Sequence, residues 1–387
     1  MEAECATISR RREADRHDDA ITENPAYLSE QLITYIGNKR ALLPFIGEGV
    51  ETVKARLGKR RVSAFDAFSG SGVVSRYLKR HCDALYANDL ERYAAVINRC
   101  YLANRGDFPE REFDDCFREM SRKLEDGPLV EGIVSALYAP RDDRAIQAGE
   151  RAFYTARNAR YIDTARALIE EAPERLRDFF LGPLLSEASI HANTAGVFKG
   201  FYKNPATGLG QFGGKNADAL SRIRGNIEIR KPVLSDFDCD CVALTGDANE
   251  ACALLPEVDL AYLDPPYNQH PYGSNYFMLN VICENRRPDS LSRVSGIPSG
   301  WNRSEYNRRE AARTALASLV ERVNARFVLV SFNSEGFIPR DELLAILGSH
   351  GPVTALETPY NAFRGSRNLR GRSLRVREYL FVLEKTR

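Results

Sequence analysis

Residues Tyr262 to Asn268 read Tyr-Leu-Asp-Pro-Pro-Tyr-Asn. The run Val258 to Leu263 ahead of the acid has the length and bounds of a buried strand. Prolines cannot continue a central strand, so Pro265 and Pro266 fix the chain at the strand's end. Asp264 and the Pro265 carbonyl are thereby held side by side. A carboxylate next to a carbonyl forms an acceptor pair suited to a planar NH2 group. Tyr267 offers a flat face for a planar ring. The chemistry suggested is a grip on an aromatic amine. The competing reading is a Pro-Pro turn with Asp264 as a helix cap and Tyr267 in the core, because Pro and Asp are ordinary turn residues.

A second constellation lies earlier. Phe68-Ser-Gly-Ser-Gly72 stands between Val62 to Phe68, which reads as a strand, and Val73 to Arg80, which has helical spacing. Gly70 and Gly72 let the backbone approach a ligand, and free N–H groups at a helix start favour a carboxylate or phosphate. Ser75 occupies the third position of a Gly-x-Gly-x-x-Gly pattern, and a P-loop lysine is absent. A dinucleotide or ATP is therefore disfavoured, and a tight structural turn is the alternative. Asp89 ends the next strand, Leu85 to Asp89, where such folds place a carboxylate on ribose hydroxyls; an N-cap is the alternative. Asp247, in Thr245-Gly-Asp-Ala248, precedes the Asp-Pro-Pro-Tyr strand by one short helix. It could accept from an adenine amine and reads equally as a cap. A ribose acid, an adenine acid and an anion-accepting turn describe a nucleoside with an amino-acid tail. S-adenosyl-L-methionine fits this better than NAD.

The elements that must hold these residues alternate strand and helix, which argues a parallel α/β sheet. Glu91 to Leu102 reads as a helix. Sheet character resumes near Val242 and continues at 258–263, Arg326 to Phe332, Val353 to Thr358 and Arg377 to Leu383. Between about 104 and 231 the pattern is mainly helical, with helices expected over 111–124, 129–137, 161–171 and 175–189. A glycine-rich segment follows, Asn193 to Asn204 and then Gly208 to Lys215. The expected division is a tail over 1–30, a catalytic domain from 31–104 and 232–387, and an inserted domain over 105–231.

Composition bounds the partners. The 387 residues allow two or three domains and carry a net charge of only +1, so the chain as a whole has no polyanion-binding footprint. Local clusters matter more. Arg286, Arg287, Arg293, Arg303, Arg308 and Arg309 form one; Arg364, Arg367, Arg370, Arg372, Arg375 and Arg377 form another. A solvated surface is the plain alternative. The eight cysteines lack zinc spacing and read as reduced thiols of a cytoplasmic protein, with no metal site. No run approaches the ~18 apolar residues of a membrane span, and the N-terminus lacks a signal-peptide stretch.

Together, Asp264-Pro-Pro-Tyr267 and Phe68-x-Gly-x-Gly72 resemble the amino-methyltransferases of DNA. Tyr35-Ile-Gly-Asn-Lys-Arg40 is similar to the N-terminal cofactor motif of the adenine methylases, whose order of motifs this chain shares. Asn88-Asp89, Tyr267-Asn268 and Tyr272-Gly-Ser-Asn-Tyr276 further resemble the subgroup that includes the FokI-type modification methylases. The segment Asn193 to Tyr202 resembles it more loosely. The resemblance covers roughly 31–104 and 232–387. It implies a Rossmann-like, doubly wound, mostly parallel sheet of the class I methyltransferase kind, with a mainly helical insert that would recognise the target. The implied reaction is methyl transfer from S-adenosyl-L-methionine to the exocyclic amine of a flipped adenine in double-stranded DNA, with a cognate restriction endonuclease as a candidate partner and the protein a monomer. Asp264, Pro265, Pro266 and Tyr267 would be catalytic. Tyr35, Gly37 and Lys39 would hold the methionine end, lined by Phe68, Gly70 and Gly72, with Asp89 on the ribose and Asp247 on the adenine. Asn38 stands where relatives often have Gly or Ser. Lys199, Lys203 and Lys215, and Arg364, Arg367 and Arg370, would reach DNA phosphates. The alternatives are the same core acting on cytosine or RNA, or a DNA-binding relic without catalysis.

Overall fold

A computed structural model describes residues 22–214, 217, 219–361 and 375–386. Lys215, Arg364, Arg367 and Arg370 lie outside the described residues, as does most of the expected tail.

Seven strands form one sheet: β1 (Val62–Asp66), β2 (Cys82–Asp89), β3 (Asp240–Thr245), β4 (Val258–Leu263), β5 (Ala325–Asn333), β6 (Val353–Asn361) and β7 (Arg375–Glu384). Their spatial order is β3-β2-β1-β4-β5-β7-β6. β1 to β5 are mutually parallel, and β7 inserts antiparallel between β5 and β6. This is the class I methyltransferase sheet that the motif order implies. Its central strands are almost wholly buried: β4 and β5 each show a single position short of burial before their last residues. That follows from helices covering both faces, which selects continuous apolar runs over alternation.

Two apolar clusters flank the sheet. One joins Phe65, Val258, Val328 and Val330 to helices Arg309–Arg322 and Arg340–Gly348. The other joins Ala64, Leu260 and Leu329 to helices Leu43–Leu57 and Val73–Lys79. None of the helices Leu43–Leu57, Arg309–Arg322 and Arg340–Gly348 was anticipated above. The helices Glu110–Asp126, Ile133–Tyr138, Ala156–Glu171 and Glu174–Ile190 occupy the expected helical stretch. Their apolar residues lie in one cluster with Tyr93 and Ile97 of helix Arg92–Tyr101 and with Phe277 and Leu279 of helix Phe277–Glu284. Helix Ile133–Tyr138 starts later than the apolar pattern suggests, because the Asp163 carboxylate accepts from the N–H groups of Gly132, Val134 and Ser135 and sets the start there.

Because β1 to β4 run parallel, their carboxyl ends share one edge. The glycine turn, Asp89, Asp247 and Asp264 all follow those ends. Open α/β sheets bind ligands in the crevice at that edge.

Candidate active site

A cleft opens at this edge. Tyr35, Gly37, Lys39, Phe68, Gly70, Asp89, Asp247, Asp264 and Pro266 all line it. Elements far apart in sequence thus bring most of the expected site residues to one cavity. Gly72, Pro265 and Tyr267 are not on its wall, and neither are Lys199 and Lys203.

The glycine turn is held by Asp89. The Gly70 N–H donates to Asp89 Oδ2 at 2.8 Å, and the Glu91 N–H donates to Oδ1 at 2.8 Å. Asp89 therefore braces the loop and lines the cleft at once; a carboxylate has about four lone-pair sites, so the two roles are compatible. Burial lifts its pKa to about 6, against the pull of those backbone donors. Gly70 (φ +52°) and Gly72 (φ +73°) both sit in the left-handed region. A Cβ on Gly70 would stand 2.9 Å from Tyr35 Cε1. Gly70→Ala should cost roughly 1–2 kcal/mol of stability and displace Tyr35, which thermal melts and ligand titration would register as a lower midpoint and weaker binding.

Tyr35 is held from the opposite side. Its ring stacks on Tyr276 at 4.7 Å and on Tyr272 at 4.9 Å, centroid to centroid. The Ile36 N–H donates to Tyr276 Oη at 2.7 Å, and Tyr272 Oη donates to the Ile36 carbonyl at 3.1 Å. The N-terminal motif is thus clasped to the turn that follows Asp-Pro-Pro-Tyr. Asn38 has a local task here: its Oδ1 accepts from the Arg40 N–H at 2.8 Å.

At the end of β4, Lys39 Nζ pairs with Asp264 Oδ1 at 3.0 Å. The ammonium also lies 5.5 Å from the centre of the Tyr267 ring. Burial opposes the Lys39 charge, but Asp264, Tyr267 and Glu378 more than offset it and hold its pKa above the ordinary lysine value. Burial raises the Asp264 pKa, and Lys39 works against that rise. Among the described residues no N–H is bonded to the Pro265 carbonyl, so that acceptor is left for another partner. Tyr267 packs edge-on to Phe332 at 5.8 Å, and its carbonyl accepts from the Phe337 N–H.

Asp247 caps the short helix after β3, its Oδ1 accepting from the Asn249 N–H at 2.8 Å. It remains on the cleft wall, as does Phe68, whose ring meets Tyr306 edge-on at 5.1 Å. Lys199 and Lys203 are exposed on the glycine-rich segment. That segment docks on the catalytic side: the Phe198 N–H donates to the Asn275 carbonyl at 2.7 Å, and Lys199 lowers the His270 pKa after burial does. Lys203 Nζ sits 5.2 Å over the Phe201 ring. No group of three or more described His, Cys, Asp or Glu residues is placed to hold a metal.

Some cleft residues carried no signal above. Glu91 is buried on the wall; Asn302, Ser304 and Asn307 arrive from a later loop. Glu378, in β7, is buried opposite Asn333 of β5 and supports the Lys39 charge. Its only trace is an acid inside an apolar strand. Burial raises Asp66, Glu91 and Glu378 to about 7 each. All exceed the ordinary unfolded value near 4, so the folded state binds more protons than the unfolded one between those values. Their contribution to stability is complete below about pH 4 and is lost as pH rises through about 7. The thermal midpoint of the ligand-free protein should fall from pH 5.5 to pH 8 (approximate values set by that window).

The sheet order and the cleft at its carboxyl edge define an α/β enzyme of the class I methyltransferase kind. The model of the family described as D12 class N6 adenine-specific DNA methyltransferase matches residues 35–294, and the chain belongs to that family. The chain is 27% identical over 363 residues to the type II methyltransferase M.NlaIII of Neisseria lactamica, covering 92% of this chain and 100% of that one. It is 27% identical over 362 residues to M.CviAII of Paramecium bursaria Chlorella virus 1, covering 91% and 98%. Against M.FokI of Planomicrobium okeanokoites the identity is 27% over 365 residues, covering 91% of this chain and 52% of the relative. The protein is a site-specific, adenine-specific DNA methyltransferase.

Proposed function

We propose that the protein transfers a methyl group from S-adenosyl-L-methionine to the exocyclic amine of an adenine flipped out of double-stranded DNA, within a restriction-modification system. The observation that carries this reading is the placement of Asp264, directly after β4, in the wall of the same cleft as Tyr35, Lys39, Gly70, Asp89 and Asp247.

The residues present fit this cofactor. The glycine turn leaves no room for a side chain at Gly70, as a close ligand approach requires, and Asn88 Oδ1 on the same wall is a buried acceptor with no partner among the described residues. Tyr35, Gly37 and Lys39 would hold the methionine end, Gly70 and Phe68 would line it, Asp89 would take the ribose and Asp247 the adenine. Bound there, the cofactor supplies an electrophilic methyl group.

The chain's own residues do the rest. The adenine amine is a poor nucleophile because its lone pair is delocalised into the ring. Asp264 and the Pro265 carbonyl accept its two N–H bonds, which draws the nitrogen toward a tetrahedral shape and aims its lone pair outward. The Asp264 charge stabilises positive charge developing on nitrogen. Flipping the base costs a few kcal/mol. Stacking on Tyr267 offsets part of that, at roughly 1–3 kcal/mol per base. Pro266 keeps the acceptor pair rigid. Lys199 and Lys203 lie on the segment docked beside this motif, where they would meet phosphates; Lys215, Arg364, Arg367 and Arg370 are proposed for the same task. The helices between 105 and 231 are the proposed target-recognition region.

Sequencing host DNA for modified adenine, with and without this gene, tests the reading. Methylated adenine at one recurrent sequence, present only with the gene, is the expected result.

A further inference from the structure

We propose that Glu91 is a second ligand-binding acid of the cleft, accepting a hydrogen bond from a donor group of the bound cofactor, a ribose hydroxyl or the amino-acid ammonium. This deepens the reading above and rests on it.

Glu91 is only 2% exposed and lies on the cleft wall. Its Oε2 is fully engaged: Asn280 Nδ2 donates to it at 2.6 Å and Asn302 Nδ2 at 3.3 Å. Those amides come from helix Phe277–Glu284 and from the loop after it. The same Asn302 amide donates to the Leu90 carbonyl at 2.9 Å. The carboxyl is therefore locked in orientation, with Oε1 left on the side of Gly273, another wall residue; a Cβ on Gly273 would stand 3.0 Å from it. Among the described residues Oε1 accepts no hydrogen bond. An acceptor held in one orientation and left open on a ligand cleft points to a donor on the ligand. Asp89 has one acceptor site on each oxygen taken by the Gly70 and Glu91 N–H groups, so Glu91 Oε1 adds a further open acceptor to the same wall. The charged groups facing Glu91 are Asp89 and Glu284, both acidic, and they reinforce the effect of burial in favouring a proton on Glu91. A cation or hydroxyl donor would relieve that.

The geometry makes Glu91→Gln a sharp variant. Asn280 and Asn302 demand an oxygen at the Oε2 position, so the new amide must turn its NH2 toward the cleft. Packing is kept while the free acceptor becomes a donor. Binding of S-adenosylhomocysteine by calorimetry should weaken roughly tenfold or more, the loss expected when a hydrogen bond is replaced by a mismatch, with the thermal midpoint of the ligand-free protein nearly unchanged at about pH 5.5, where Glu91 is itself uncharged. Asn280→Ala keeps the acid but frees its anchor, and should weaken binding less. Repeating the titration with 5′-methylthioadenosine, which lacks the ammonium, separates the donors. A persisting Glu91→Gln penalty assigns the hydroxyl, and its disappearance assigns the ammonium. Wild-type affinity in Glu91→Gln, or an equal loss in both variants, overturns the proposal. Absence of binding to the wild-type protein overturns the cofactor reading itself.

Discussion

Replacing Asp264 by alanine should lower methyl transfer by roughly 10³-fold, while cofactor binding survives. A single preorganised charge-stabilising group removed from an active site costs about 10²–10³ in rate, and Asp264 both stabilises charge and forms half of the acceptor pair. The fold should tolerate the change, because Glu378 remains beside Lys39 as a counter-charge. Asp264→Asn keeps one oxygen and the volume, so it should retain more activity than alanine while losing the negative charge. Single-turnover rates with labelled cofactor on duplex DNA, alongside calorimetric cofactor binding, would check both halves. Undiminished turnover in Asp264→Ala would remove the acceptor pair from the mechanism.

Replacing Lys39 by methionine should destabilise the protein by about 3–5 kcal/mol near neutral pH, the cost of removing one partner from a buried pair. Lys39 is 3% exposed and stands between two carboxylates, Asp264 at 3.0 Å and Glu378. Without the ammonium, burial raises both carboxyls with no Lys39 charge to oppose it. Their folded pKa values then rise further above the unfolded ones. A raised carboxyl contributes stability below its unfolded pKa and loses it as pH climbs through the folded one. The deficit of Lys39→Met relative to wild type should therefore shrink on acidification and grow toward alkaline pH. Urea unfolding across that range would show it; a deficit independent of pH would mean that Lys39 acts through packing alone. The same variant should transfer methyl more slowly, since removing Lys39 favours a proton on Asp264 and weakens its stabilisation of charge on the amine.

The sheet and the two ends of the cleft were legible because their signals are local. Buried parallel strands read as short apolar runs, and the glycine turn and Asp-Pro-Pro-Tyr follow such runs directly. Asp89 and Asp247 were legible in type but not in role, because the structure gives each a backbone hydrogen bond without removing it from the cleft wall. The tyrosine clasp was half visible: Tyr35, Tyr272 and Tyr276 lie in quoted motifs, but their stacking depends on how two distant segments meet. Glu91, Asn302 and Glu378 were not legible. Each acts through partners brought together only by the sheet order, and an isolated acid or amide in a sequence says nothing about what will face it. The helix pattern failed at 129–132 for a similar reason, since Asp163 decides that boundary from another helix.

The most direct test of the account is digestion of duplex DNA to nucleosides after incubation with the purified protein and labelled S-adenosyl-L-methionine. The account predicts label in N6-methyladenine and in no other nucleoside, and none with Asp264→Ala. Label in a methylated cytosine, or no label from wild-type protein that binds the cofactor, would contradict it.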